Sequence, residues 1–325
     1  MAPPLFPLQT HLPGASRLVL GCMGLGGSWD DAPVGEEHLA QGQAALEAAQ
    51  AAGITLFDHA DIYTRGKAER VFGELFRRQP SLRDNLLLQT KCGIRFADDR
   101  GPGRYDLSRD YIVQAAEASL VRLNTDHIDL LLLHRPDALM NPAEVAEAFG
   151  RLRSAGKVKY FGVSNMHAGQ IRWLSQALGT PLIANQLEMS LAKLDWLDAG
   201  TCFNDGQAAG ALPWADTLQH CQQQRIQLQA WAPLAKGGFS GSPPGGASPA
   251  QQQTAARVAA LADQHQAPPE AIVLAWLLQH PAAVQPVIGT TQPGRIAACG
   301  EAARVALTRE EWYALYVSSR GRALP

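Results

Sequence analysis

Short apolar runs alternate with longer segments of helical period along almost the whole chain. The runs stand at Arg17–Cys22, Ile54–Asp58, Asn85–Lys91 and Ile128–His134, then at Val158–Ser164, Leu182–Gln186, Ile226–Trp231 and Val284–Ile288. Several are continuously apolar rather than alternating, as strands of a parallel sheet covered on both faces are. The pattern predicts eight such strands.

Helical patterns fall between them. Leu39–Ala52 is Ala-rich and stops before Gly53. Ser108 is placed to cap Arg109–Leu123, whose Tyr111, Ile112, Ala115, Ala116, Leu120 and Leu123 share one face. Asn141-Pro142 is a start signal, Val145, Phe149 and Leu152 form the stripe, and Gly156 is the stop. Weaker patterns cover Ala68–Arg78, Ala168–Leu178 and Pro213–Gln224. Ala255–His280 reads as helix, proline turn, helix, and Thr308 with Glu311 forms a capping box for a last helix.

Eight strands with helical crossovers predict a (β/α)8 TIM barrel in one domain spanning residues 1–325, with residues 1–16 as an N-terminal extension. A doubly wound sheet wants G-x-G-x-x-G after its first strand. The nearest segment, Gly21-Cys-Met-Gly24-Leu-Gly26-Gly27, has the wrong spacing and no acidic residue at the usual distance. The stretches without clear order, 188–212 and 236–249, read as loop insertions after strands six and seven on the catalytic face, where long loops serve as lids.

Composition narrows the class. Apolar residues make up 46% and charged residues 18% of the 325, which favours a substantial core over disorder. The formal net charge of −2 with no basic block argues against nucleic acid or an anionic membrane as partner. In Ala255–His280 only Arg257 is basic and the second helix is too apolar to face a DNA groove. Nothing approaches a membrane span, and the start of the chain has no signal-peptide pattern. The five cysteines are scattered with no CxxC, which suits reduced thiols in a cytoplasmic protein.

The chemistry sits at the strand ends, which a barrel gathers on one rim. Asp58 ends the second strand, Lys91 the third and His134 the fourth, with Tyr63 five residues past Asp58. A lysine beside a tyrosine hydroxyl stabilises phenolate and lowers its pKa, and an aspartate anchors that lysine. The tyrosine then serves as general acid to a carbonyl oxygen that the histidine orients. His59 reads as a hydrogen-bonding support residue. Asp58-His59-x-Asp61 lacks the His-x-His of metal-dependent barrel hydrolases, so no metal is expected.

The segments FDHADIY (Phe57–Tyr63), LQTKCG, IDLLLLHRPD, GVSN and IGTTQPGRI, in this order over residues 17–305, resemble the aldo-keto reductase superfamily. With LGCMGLGG the chain is similar to the bacterial FDHADIY-type subgroup. The resemblance implies a (β/α)8 barrel that takes NADPH/NADP+ without a Rossmann domain and reduces a small aldehyde or ketone. It makes Tyr63 the proton donor, Lys91 and Asp58 its tuning pair, and His134 the carbonyl-orienting residue. It implies cofactor contacts at Met23, Ser164, Asn165 and Gln186, a ring stacked on Trp231, a pyrophosphate loop over Ala232, Leu234 and Gly238, and a 2′-phosphate site at Thr290, Thr291 and Arg295. Family members often carry lysine where Gly289 stands, so Arg295 is the one fixed positive charge there. Loop aromatics Trp29, Phe96, Tyr105, Trp196 and Phe203 are candidates to line the substrate pocket, chiefly Trp29, Phe96 and Trp196. The rival reading is an NADPH-binding regulatory or redox-sensing subunit with little turnover. Oligomeric state is not legible.

Overall fold

A computed structural model describes residues 5–202, 216–241 and 245–325. In chain order the elements begin with β1 (Val19–Gly21), α1 (Glu36–Ala51), β2 (Leu56–Asp58), α2 (Lys67–Arg78), β3 (Leu87–Cys92), β4 (Ile94–Arg95) and β5 (Arg104–Tyr105). Next come α3 (Arg109–Leu123), β6 (Ile128–Leu133), α4 (Pro142–Ser154), β7 (Val158–Ser164), α5 (Ala168–Ala177), β8 (Leu182–Glu188), α6 (Asp195–Thr201) and α7 (Thr217–Gln223). The chain ends with β9 (Gln227–Trp231), α8 (Pro249–His265), α9 (Pro269–Leu278), β10 (Gln285–Ile288), α10 (Pro293–Gly300) and α11 (Arg309–Arg320).

Eight of the strands close a parallel barrel in the order β1-β10-β9-β8-β7-β6-β3-β2. All eight expected strands are in it, each within two residues of its expected ends, and the fold is the expected single-domain (β/α)8 barrel. The small hairpin β4–β5 is antiparallel and stands outside the barrel. It is too short to leave a periodic signal.

Caps and stops explain the helix limits. Asn141 accepts from the Ala143 amide at 3.0 Å, and Thr308 and Glu311 form the expected capping box. Gly53 and Gly156 take left-handed φ of 71° and 70° just past α1 and α4, which a Cβ would strain. Ser108 stands at the N-cap of α3 but does not cap it; its hydroxyl donates to Asp106 Oδ1 at 2.7 Å, and the Arg109 amide finds Glu144 instead. That bond holds the hydroxyl toward Asp106, and its oxygen accepts from no amide of the first turn.

The barrel interior has two storeys. The lower is apolar: Val19, Leu56, Leu130, Leu132, Ile183 and Val287 meet Phe6, Leu8 and Leu12 from the start of the chain. The N-terminal extension is therefore a floor, with Leu8 fully buried and its amide donating to Gln227 Oε1. Arg17 fastens this end through the carbonyls of Leu278, Ala283 and Val284. The upper storey is polar and carries the site. Residues 188–212 are less irregular than expected, since they hold the end of β8 and α6; residues 203–212 lie outside the described ones, as do 213–215 and 242–244 of the other expected segments.

Candidate active site

Three of the rim residues meet inside the mouth. Asp58 closes β2 and pairs in register with Gln89 of β3. Residues two apart on a strand share a face, so Lys91 stands one step above Gln89 toward the rim. Its Nζ donates to Asp58 Oδ2 at 2.7 Å, to Tyr63 Oη at 2.9 Å and to the His59 carbonyl at 2.9 Å. All three ammonium protons are thereby used. Tyr63 opens a tight turn after β2 in which Thr64 and Arg65 take φ of 46° and 59°. Thr64 locks that turn by donating to the Leu25 carbonyl and accepting from the Ala68 amide. His134 follows β6, and its ring lies close to perpendicular to that of Tyr63 with centroids 6.0 Å apart.

The electrostatics follow from burial. Burial opposes the charge on Lys91, but Asp58 and Tyr63 outweigh it and raise the lysine pKa, so the ammonium persists. Tyr63 departs from expectation. Burial raises its pKa, and the lowering by Lys91 offsets only part of that. The phenol therefore stays protonated at neutral pH, and the lysine limits the rise rather than reversing it. His134 is held neutral, its pKa pushed well down by burial and by Lys91 and Arg135. Its Nδ1 is buried without a partner, which leaves Nε2 on the open side.

Beneath these residues lies a network that sequence reasoning missed. Gln89 Nε2 donates to Asp58 Oδ1 at 2.5 Å and Gln186 Nε2 to the same oxygen at 3.1 Å. Both also donate to Gln229 Oε1, and Gln229 passes the chain to Gln285, which ends on the Ser16 carbonyl. Each glutamine sits inside an apolar strand run, and that interruption is the signal that was available. The network fixes one carboxylate oxygen of Asp58 and leaves the other to Lys91.

A second buried cluster lies behind the site. Glu69 accepts from Thr90 at 2.6 Å and from Arg122 at 2.6 Å. Asp61 shares this space with its Oδ1 buried and unpartnered. Burial, then Glu69, pushes its pKa up to about 8. His59 is not the hydrogen-bonding support expected: both ring nitrogens are buried and unpartnered, and the ring packs on Phe72 at 4.6 Å. Burial first, then Lys91, lowers its pKa to about 3.

The residues assigned to a cofactor gather on the same rim. Asn165 takes φ of 59°, donates to the His134 carbonyl and to Ser164 Oγ, and accepts from Trp231 Nε1 at 3.1 Å. The indole of Trp231 is thus pinned. Ser164 Oγ donates to the Gln186 carbonyl at 2.8 Å. Past β9, Ala232, Ala235 and Lys236 are all left-handed, a run of strain of the kind that ligand clamps hold. Ser240 Oγ in this loop is buried with no partner. Leu234 is buried there, and a Cβ on Gly237 would come within 3.4 Å of the Arg295 guanidinium, so the loop that ends at Gly238 runs past Arg295. Arg295 is half-exposed and only loosely tied to Glu270 at 3.6 Å. Thr291 accepts from Gln41 at 2.9 Å and lies against Gly24, next to exposed Met23, while Thr290 caps the Gln292 amide.

Of the aromatic candidates, Trp29 and Phe96 meet edge to face at 6.4 Å, both exposed, with the Arg65 guanidinium 5.1 Å above Phe96. Tyr105 is exposed on β5. Trp196 is corrected: it lies in α6, fully buried against Trp276 of α9 and His280, and is core packing. Phe203 lies outside the described residues. Among the described residues no group of three or more His, Cys, Asp or Glu is arranged to hold a metal. No helix among them is long and apolar enough to cross a membrane. All five cysteines are free and buried.

A closed (β/α)8 barrel with a buried aspartate–lysine–tyrosine array at its mouth defines a small-molecule enzyme. The aldo/keto reductase family profile matches residues 17–316, and the chain belongs to that family. It is 36% identical over 311 residues to a 6-dehydroglucose reductase of Agrobacterium fabrum (94% of this chain, 95% of that one). It is 36% identical over 280 residues to the oxidoreductase YcsN of Bacillus subtilis (84% and 86%) and 35% over 276 to the oxidoreductase YdhF of Escherichia coli (84% and 85%). The glycerol dehydrogenase AKR11B4 of Gluconobacter oxydans shares the fold at a TM-score of 0.78 and 21% identity, over 95% of this chain and 93% of that one. The protein is an NAD(P)H-dependent oxidoreductase.

Proposed function

We propose that the protein reduces an aldehyde or ketone to an alcohol with NADPH, reversibly, with Tyr63 as proton donor. The observation that carries this reading is the single ammonium of Lys91, held between Asp58 and Tyr63 at 2.7 and 2.9 Å. The rim fits a dinucleotide: a pinned indole face, a strained loop with an orphaned buried hydroxyl at Ser240, and a half-exposed guanidinium at Arg295 tied, among the described residues, only by a 3.6 Å ion pair to Glu270. Trp231 would stack on the nicotinamide, Ser164, Asn165 and Gln186 would hold its carboxamide, and Arg295 with Thr290 and Thr291 would take the 2′-phosphate. The bound cofactor supplies the hydride. The chain supplies the rest. His134 directs its Nε2 at the carbonyl oxygen, and Tyr63 delivers its proton to that oxygen. Lys91 stabilises the phenolate left behind, and Asp58, fixed by Gln89 and Gln186, holds Lys91 in place.

The relatives named 6-dehydroglucose reductase make a sugar-derived aldehyde the first substrate to try. Trp29 and Phe96 are the walls we assign to it. A regulatory or redox-sensing role draws less support. Cys22 and Cys92 flank the site, but burial raises both thiols well above their ordinary pKa, so neither offers a reactive thiolate. Such buried reduced thiols suit a cytoplasmic location.

Tyr63→Phe tests the reading. It is expected to quench Trp fluorescence with NADPH as the parent does, while carbonyl turnover falls by about 10²–10⁴-fold. Unchanged turnover would remove Tyr63 as the donor.

A further inference from the structure

Two charged side chains at the mouth make no contact in the mechanism above, although the charge of one of them, Arg135, helps to keep His134 neutral. Arg135 directly follows His134. It is half-buried, and its guanidinium carbon lies 5.9 Å from the centre of the Trp231 ring. Among the described residues it has neither a hydrogen-bond nor an ion-pair partner. The half-buried arginines elsewhere are held by oxygens: Arg17 by carbonyls, Arg83 by Asp129, Arg95 by Asp106, Arg122 by Glu69 and Arg320 by Asp198. An arginine left with five unused donors beside a reaction centre is a recognition group in search of acceptors.

Glu188 is the counterpart. It closes β8, pairs in register with Trp231, and is half-buried with its carboxylate likewise unpartnered among the described residues. Gln186, two residues earlier, points its amide into the barrel toward Asp58 and Gln229. The two-residue period puts Glu188 on that same inward face, at the rim. Arg135 thus lies beside the Trp231 indole and Glu188 beside Trp231 in the barrel wall, and among the described residues no ion pair joins the two. One offers only donors, and the other only acceptors.

We infer that Arg135 and Glu188 are specificity-determining residues that hydrogen-bond hydroxyl groups neighbouring the reacting carbonyl, so that the enzyme selects polyhydroxylated carbonyl compounds. A hydroxyl both donates and accepts, so a donor-only group and an acceptor-only group together can hold two adjacent hydroxyls. A carboxylate-bearing substrate would satisfy Arg135 but be repelled by Glu188, and an unsubstituted alkyl aldehyde would leave both desolvated and unpaired. Sites built to bond a hydroxyl reject the analogue lacking it far more strongly than apolar pockets reject a missing methylene.

This inference rests on the carbonyl-reductase reading. The test compares kcat/KM for glyceraldehyde, propanal and succinic semialdehyde with NADPH, in the parent, Arg135→Gln and Glu188→Gln. NADPH-induced quenching of Trp fluorescence checks that each variant is folded. The parent is expected to favour glyceraldehyde over propanal by roughly tenfold or more, and each variant to bring that ratio toward one, whatever happens to absolute rates. A parent that reduces propanal and glyceraldehyde equally overturns the inference alone. So does a parent that favours succinic semialdehyde and loses that preference in Arg135→Gln, which would make Arg135 an anion site. A ratio unmoved in both variants also overturns it. A parent that binds NADPH but reduces none of the three removes the reductase reading, and this inference with it.

Discussion

At the scale of single residues, the site separates groups that must be charged from groups that must not be. Lys91 keeps its charge because Asp58 and Tyr63 hold it. Asp61 makes no ion pair among the described residues; it lies in the fields of Glu69, Arg122 and Lys91 with one oxygen unpartnered. Its carboxyl titrates near 3.8 when exposed and at about 8 in the fold. The folded state therefore binds the proton more tightly. The stability this brings is fully present below about pH 4 and is lost as pH rises to about 8. Asp61→Asn removes that dependence without changing side-chain size. Thermal melts at pH 5 and pH 8 are expected to lie closer together in the variant, which gains on the order of a few kcal/mol relative to the parent at the higher pH. An unchanged gap between the two melts would show that Asp61 ionises freely in the fold.

At the scale of elements, legibility tracks burial pattern. The eight barrel strands are readable because both faces of each are covered, so their apolar runs stand out even at three residues for β1 and β2. The rim is readable because Asp58, Lys91 and His134 close successive apolar runs at their C-terminal ends. What the sequence hides are features set by tertiary contact. Trp196 reads as a loop aromatic, yet α6 turns it onto Trp276. Ser108 has the right residue type for a cap and gives its hydroxyl to Asp106. The proline-rich start of the chain carries no sign that it packs as a floor. That floor supports a prediction of its own: Leu8→Ala leaves a void in the apolar cluster at the base of the barrel and is expected to cost about 2–5 kcal/mol, read as a lower urea midpoint. A midpoint within error of the parent would mean the segment is not part of the cooperative unit.

For the molecule as a whole, the near-neutral charge of −2 gives no long-range steering, so recognition of a dinucleotide depends on the local groups around Arg295. NADPH at about one hundred times its Kd is expected to stabilise the fold by about 2.7 kcal/mol, a rise of a few degrees in Tm, while NADH at the same concentration gives a smaller shift. Equal shifts would withdraw the preference for the 2′-phosphate.

The floor laid by Phe6, Leu8 and Leu12 has a further consequence. It completes an interior already filled with side chains, so the site is a cup at the rim and not the mouth of a tube. Whatever enters must return through the same opening, past Trp29, Phe96 and the loop after β9. Traffic is then last in, first out: a molecule seated deep in the cup is held there by any molecule seated above it.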